Sequence, residues 1–235
     1  VEMDEYNISS DTAGSSAGSL SQISSGFSYH TWGCEDMGMD LLADYLSTHA
    51  LQQSAVVAVL DTGVLPVEGI RDRILSGTDV VMGGDGRNDL VGHGTHVSGT
   101  ILDCTQGLDV KILPVGIFGN NPYTSTLNIC TGLEYAIGQA PDVINMSLGG
   151  PITQEDSLKQ ALIREAISSG ITVVVSAGNG DDAGIPQDTA GIMPAAMKEC
   201  IVVGAVDQNH TIASFSNYGD SVDVCAPGVN ITSYS

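Results

Sequence analysis

Apolar positions along this chain follow two rhythms. Ala55-Val56-Val57-Ala58-Val59-Leu60 is an unbroken apolar run that ends in Asp61-Thr62-Gly63. A run without alternation predicts a strand buried on both faces, as in a parallel sheet covered by helices. Asp79–Met82, Val110–Ile117, Val143–Leu148, Ile171–Val175 and Ile201–Val206 read as further strands. Between them the apolar residues recur at helical spacing. Met37, Leu41, Leu42 and Tyr45 predict a helix from Asp36 to Leu46, and a second one runs from the His93 region to about Leu102. Leu127, Cys130, Leu133, Ala136 and Ile137 predict a third, from about Thr124 to Gln139, stopped by Pro141. Leu158, Leu162, Ala166 and Ile167 make the buried face of a fourth, with Thr153 as its cap, Glu155 and Asp156 at its positive end and Gly170 as its stop. Strand and helix alternate, so the predicted fold is α/β, a doubly wound, mostly parallel sheet flanked by helices on both faces. Such sheets place their sites at the carboxyl ends of the strands, where Asp61 falls.

Composition adds boundaries to that picture. A chain of 235 residues with 42% hydrophobic residues is long enough for one domain with a full core. Residues 1–28 differ: they hold nine serines and no basic residue, and read as an acidic arm or linker ahead of a domain spanning 29–235. The formal charge of -21 repels phosphate backbones and anionic lipid, which disfavours nucleic-acid and membrane partners and suits the surface of a secreted or cell-surface protein. No apolar stretch approaches the length of a transmembrane helix, and Val1-Glu2-Met3-Asp4 carries no signal-peptide pattern. Five cysteines, Cys34, Cys104, Cys130, Cys200 and Cys225, show no C-x-x-C spacing. They are expected as buried thiols, with bridges only where the compartment is oxidising.

The chemistry concentrates in Gly92-His93-Gly94-Thr95-His96-Val97-Ser98-Gly99-Thr100. Small residues around His93 let backbone and ring approach a ligand closely. A His-x-x-His pair is open to three readings: a metal site completed from elsewhere, a satisfied core histidine, or a proton-transfer site. A buried Asp61 needs a partner, and a histidine is the obvious one.

Asp61-Thr62-Gly63, His93-Gly94-Thr95-His96-Val97, Val143-Ile144-Asn145-Met146-Ser147-Leu148-Gly149-Gly150, Ser176-Ala177-Gly178-Asn179 and Ala226-Pro227-Gly228-Val229 occur in that order. Together they resemble the subtilisin-like serine proteases over about residues 30–235, and the resemblance implies a peptide or protein substrate and no cofactor. It further implies that Asp61 orients the imidazole of His93, which takes the proton of a serine nucleophile and returns it to the leaving amine. Asn179 would donate to the oxyanion, although an Asn beside Gly also suits a turn of positive φ. Ser147, Leu148 and Gly149 would form the edge that pairs with substrate backbone, with Ala177 and Gly178 beside it. Asp181 and Asp182, near the family's first specificity pocket, suggest a preference for Lys or Arg before the cut bond. Met193-Pro194 resembles a turn that often carries a cis peptide. The family's calcium-binding loop has no counterpart between Asp103 and Asp109, so no metal is expected there.

One family element is missing. No Gly-Thr-Ser occurs in these 235 residues, and Ser233 and Ser235 follow Pro227 too soon to be the nucleophile. The resemblance therefore places that serine on a C-terminal segment or a second chain, and implies that this stretch alone is inactive and leaves apolar surface uncovered. Two other readings compete. A pseudoprotease would keep the groove without the nucleophile, and an aspartic protease would use Asp-Thr-Gly, but only one such triplet exists and a carboxylate dyad needs two.

Overall fold

The computed structural model describes residues 6–7, 31–49 and 53–235. In chain order its strands are β1 (Tyr6–Asn7), β2 (Ser54–Asp61), β3 (Thr78–Asp79), β4 (Asp109–Gly116), β5 (Tyr123–Thr124), β6 (Val143–Met146), β7 (Gly150–Pro151), β8 (Thr172–Ser176), β9 (Ile192–Met193), β10 (Ile201–Val206) and β11 (Val224–Pro227). The helices are α1 (Trp32–Asp36), α2 (Met39–Thr48), α3 (His93–Cys104), α4 (Thr126–Gln139) and α5 (Asp156–Ser168). Of the expected arm, only β1 is described, paired antiparallel with β5; the rest of 1–28 lies outside the described residues.

Seven strands form one sheet in the order β11-β10-β8-β6-β2-β4-β3, every neighbouring pair parallel. Each residue of β2 from Ser54 to Asp61 is in register with β4, and Val57–Val59 are also in register with β6. The chain passes from β4 across β2 to β6, so the order reverses at β2. That reversal opens a crevice at its carboxyl end, where Asp61 stands.

The unbroken apolar run is explained by what covers it. Ala58 and Leu60 point into a core with Ile129, Leu133 and Ala136 of α4 and Ile163 and Ala166 of α5. Val57 and Val59 point the other way, into a core with Leu102 of α3, Ile70, Ile74 and Ile112. With helices on both faces, the sheet is the doubly wound α/β fold the pattern predicts.

Several expected boundaries shift for local reasons. The helix expected over Asp36–Leu46 is broken in two at Gly38, whose φ of 71° belongs to the left-handed region. β3 ends at Asp79 because its carboxylate accepts the N–H groups of Val81 and Met82, both at 2.8 Å, folding the chain away. Leu158, expected on the buried face of α5, is 51% exposed; that face is Lys159, Leu162, Ile163 and Ala166. At the start of α5 Thr153 and Asp156 act reciprocally across the first turn, and the helix itself begins at Asp156. The Asp156 carboxylate accepts the Thr153 N–H at 2.7 Å, while Thr153 Oγ1 accepts Glu155 N–H at 3.3 Å. Ser125 caps α4 by accepting Asn128 N–H, and Ala140 in a left-handed conformation precedes Pro141 where it ends. Met193-Pro194 is a cis peptide bond.

Candidate active site

Two elements that meet at the carboxyl end of the sheet bring the principal pair together. Asp61 is the last residue of β2, 1% exposed, and His93 is the first residue of α3. His93 Nδ1 lies 2.8 Å from Asp61 Oδ1 and 2.9 Å from Oδ2. Asp61 Oδ1 also accepts the Thr62 N–H at 2.7 Å, which fixes the carboxylate plane toward the ring. A carboxylate bound at Nδ1 places a proton on that nitrogen and makes Nε2 the basic one.

The loop ahead of α3 is held by a buried acid that lies outside the sequence motifs. Asp89 is 5% exposed. Its Oδ1 accepts Thr62 Oγ1–H at 2.8 Å, Gly92 N–H at 2.7 Å and Val91 N–H at 3.1 Å. Its Oδ2 accepts Thr95 N–H at 2.9 Å and Thr95 Oγ1–H at 2.6 Å. The N-cap position, Gly92, has no side chain to offer, so Asp89 caps the helix from three residues upstream and places negative charge at its positive end. Thr62 Oγ1 in turn accepts Gly94 N–H at 2.9 Å, tying the residue after Asp61 to the residue after His93. An acid just ahead of a helix start was the available signal.

His96, one turn into α3, does not join His93 in a metal site. Its Nε2 donates to the Ile231 carbonyl at 3.2 Å, and burial pushes the imidazole below its ordinary pKa, so it is a neutral structural donor. Among the described residues, no group of three or more His, Cys, Asp or Glu gathers to hold a metal ion.

A cavity of about 570 Å³ opens beside His93. Ser147, Gly178 and Asn179 line it with His93 and His96, and its apolar wall includes Val97, Ile101, Val174, Val203 and Ala205. Leu148 and Ala177 are 1% exposed and belong to the core, so their side chains face away from it. Gly149 packs beside Ile192. Ser147 Oγ accepts a hydrogen bond from Asn145 Nδ2 at 3.0 Å. Ser235 lines the cavity, while Ser233 Oγ donates to the His96 carbonyl at 2.8 Å.

The turn carrying Asn179 has its own clamp. Gly178 (φ 99°) and Gly180 (φ 84°) take the positive angles, not Asn179, so the simple turn reading of that asparagine does not hold. Asn217, 4% exposed, surrounds this turn. Its Nδ2 donates to Ala177 O at 2.9 Å, its N–H to Gly178 O at 3.0 Å, and its Oδ1 accepts Gly180 N–H at 3.0 Å and Gln187 N–H at 2.7 Å. Asp181 and Asp182 are exposed and outside the cavity lining, and Asp181 Oδ1 accepts the N–H groups of Ala183 and Ile185.

Known proteins resemble this chain in sequence and in fold. Residues 52–235 match the model of the Subtilase family. Subtilisin DY of Bacillus licheniformis is 39% identical over 184 residues, covering 75% of this chain and 65% of that protein. The extracellular serine proteinase of Thermus sp. (strain Rt41A) is 37% identical over 210 residues, covering 86% and 49%. The crystal structure of a cold adapted subtilisin-like serine proteinase superimposes with a TM-score of 0.68 at 32% identity, covering 77% of this chain and 66% of that one. The chain therefore spans about half to two thirds of the length of these curated relatives.

Proposed function

This chain belongs to the subtilase family of serine proteases, and on that premise we propose that it supplies the acid–base pair, the oxyanion donor and the substrate edge of a secreted endopeptidase. The contact that carries the reading is His93 Nδ1 to Asp61 Oδ1 at 2.8 Å, beside a cavity that Asn179 also lines. In this reading His93 Nε2 takes the proton of the attacking serine, Asp61 stabilises the imidazolium that forms, and the same nitrogen delivers the proton to the leaving amine. The side-chain amide of Asn179 donates to the oxyanion of the tetrahedral intermediate. Ser147, Leu148 and Gly149, together with Gly178, lay out the backbone edge for the peptide.

The nucleophilic serine belongs to a segment that packs into the cavity against Val97, Ile101, Val174, Val203 and Ala205. An apolar wall of that size beside a base is suited to a helix whose first turn carries the serine. A lone Asp-Thr-Gly whose carboxylate is taken by an imidazole leaves no carboxylate dyad, which disfavours the aspartic protease. The acidic surface, and the extracellular relative from Thermus, support export.

Fluorophosphonate labelling of the full-length protein tests this. Covalent labelling of one serine, abolished by His93→Ala, is the expected result. A full-length protein that binds peptides but takes no label overturns the enzyme in favour of a pseudoprotease.

A further inference from the structure

Outside the site, two of the five cysteines meet. Cys34 Sγ in α1 lies 3.2 Å from Cys104 Sγ, the last residue of α3, 70 positions away in sequence. Cys130 is on α4, Cys200 immediately precedes β10 and Cys225 is on β11. Cys34 is fully buried, while Cys104 is partly exposed and within reach of solvent.

We propose that Cys34 and Cys104 form a disulfide site that staples α1 to the carboxyl end of α3 when the protein meets an oxidising environment. Closing the contact to a covalent S–S bond of about 2.05 Å requires roughly 1 Å of approach. Little else need move, because α1 is already anchored. Trp32 Nε1 donates to the Val229 carbonyl at 3.0 Å, and Gly33 lies so close to Pro227 that any side chain there would meet its ring.

The two sulfurs are unequal. The contact between the two thiols pulls Cys104 below the ordinary thiol value, while the same contact, burial and the nearby Asp103 push Cys34 up. Cys104, the sulfur within reach of solvent, is therefore the attacking thiolate. It attacks a small-molecule disulfide such as oxidised glutathione, forming a mixed disulfide and expelling one glutathione thiolate. Cys34 then attacks Cys104 Sγ, expels the second glutathione, and its proton leaves on a departing thiolate. The protein dithiol is oxidised by two electrons and one glutathione disulfide is reduced to two thiols. Asp103 loses Cys34 Sγ–H as a donor at 3.4 Å but keeps Gln106 Nε2 at 2.8 Å.

The loop so closed contains both Asp61 and His93. Constraining it in the unfolded chain is expected to raise the Tm by roughly 5–10 °C over the reduced protein. The test is disulfide mapping of the wild-type, full-length protein after exposure to excess oxidised glutathione, alkylated in denaturant without reductant. Cys34 and Cys104 are expected in one linked peptide pair, with Cys130 and Cys200 alkylated. Recovery of Cys34 and Cys104 as alkylated thiols, or a link from either to another cysteine, overturns the proposal. A Cys104→Ser protein, melted beside the wild type, reads out the staple: a wild-type melt that reductant leaves unchanged overturns the stabilising role.

Discussion

The carboxylate of Asp89 accepts the hydroxyl of Thr62 at 2.8 Å, and through it the loop that ends β2 is tied to the start of α3. Asp61 and His93 are the neighbours of the groups so joined, and their mutual distance depends on this contact. Asp89→Asn replaces one acceptor oxygen by an amide that faces N–H donors, leaving buried polar groups unpaired. The expected cost is about 2–4 kcal/mol of stability. Thr62→Val removes the same link while keeping the shape, at about 1–3 kcal/mol. In the full-length protein both are expected to lower kcat by 10-fold or more, on the order of 1.4 kcal/mol, with KM little changed, because the pair is misaligned and the peptide edge is untouched. Equal losses in KM and none in kcat would refute a positioning role.

Asn217 imposes a second geometric constraint. A Cβ added at Gly178 would stand 2.5 Å from Asn217 Nδ2, on a backbone whose φ of 99° already disfavours a side chain. Gly178→Ala must therefore displace the clamp, and Asn217→Ala removes it. Each is expected to approach the effect of Asn179→Ala itself. For an oxyanion asparagine measured in a subtilisin that effect is about 10²–10³ in kcat. Steady-state kinetics on a short peptide anilide, with circular dichroism to verify the fold, is the measurement. Wild-type kcat in Gly178→Ala would mean the turn is not what positions Asn179.

The contrast between Asp61 and Asp89 indicates what was legible in the sequence. Asp61 ends an apolar run, so its burial and its place at a strand's carboxyl end follow from the neighbours alone. Asp89 sits among Gly, Asn and Val in a loop, where local pattern says solvent. Its burial arises from donors on Thr62 and Thr95 that only the folded chain assembles. Asn217 is similar, since all four partners in its clamp lie 30 or more positions away. Strands covered on both faces announce themselves because every position must be apolar. The face of α5 was misread at Leu158 because Lys159, a charged residue, occupies the buried position next to it.

That lysine makes its own case. Lys159 is 0% exposed, and its Nζ lies 2.6 Å from Asp156 Oδ1, itself 1% exposed. Two charges taken out of water roughly balance their desolvation only while both are present. Lys159→Met is expected to cost about 3–5 kcal/mol by stranding the carboxylate. The double variant Asp156→Asn with Lys159→Met is expected to recover much of that loss, apart from the weakened acceptor for Thr153 N–H. Chemical denaturation of the wild type, the Lys159→Met and Asp156→Asn single variants and the double variant forms a double-mutant cycle, and strict additivity would rule out coupling.

The pH dependence of folding turns on His96. Burial holds its imidazole below the ordinary value, helped by the nearby His93 and opposed by the Ile231 carbonyl. The unfolded chain therefore takes up this proton first as pH falls. The stabilising effect of a neutral His96 is complete above about 6.5 and is lost as pH drops below it toward the folded value. His210 works in the opposite sense. Its hydrogen bond to Asp36 raises its pKa, so its contribution is present below the ordinary value and fades as pH rises through the folded one. The His210 side chain is 70% exposed, which leaves that second effect screened, and His96 is expected to dominate. Urea denaturation from pH 8 to pH 5 should show wild-type stability falling below about pH 6.5. His96→Gln, which keeps a donor for Ile231 but cannot charge, should fall less over the same range. Parallel curves for the two proteins would mean that His96 is not the group whose protonation weakens the fold.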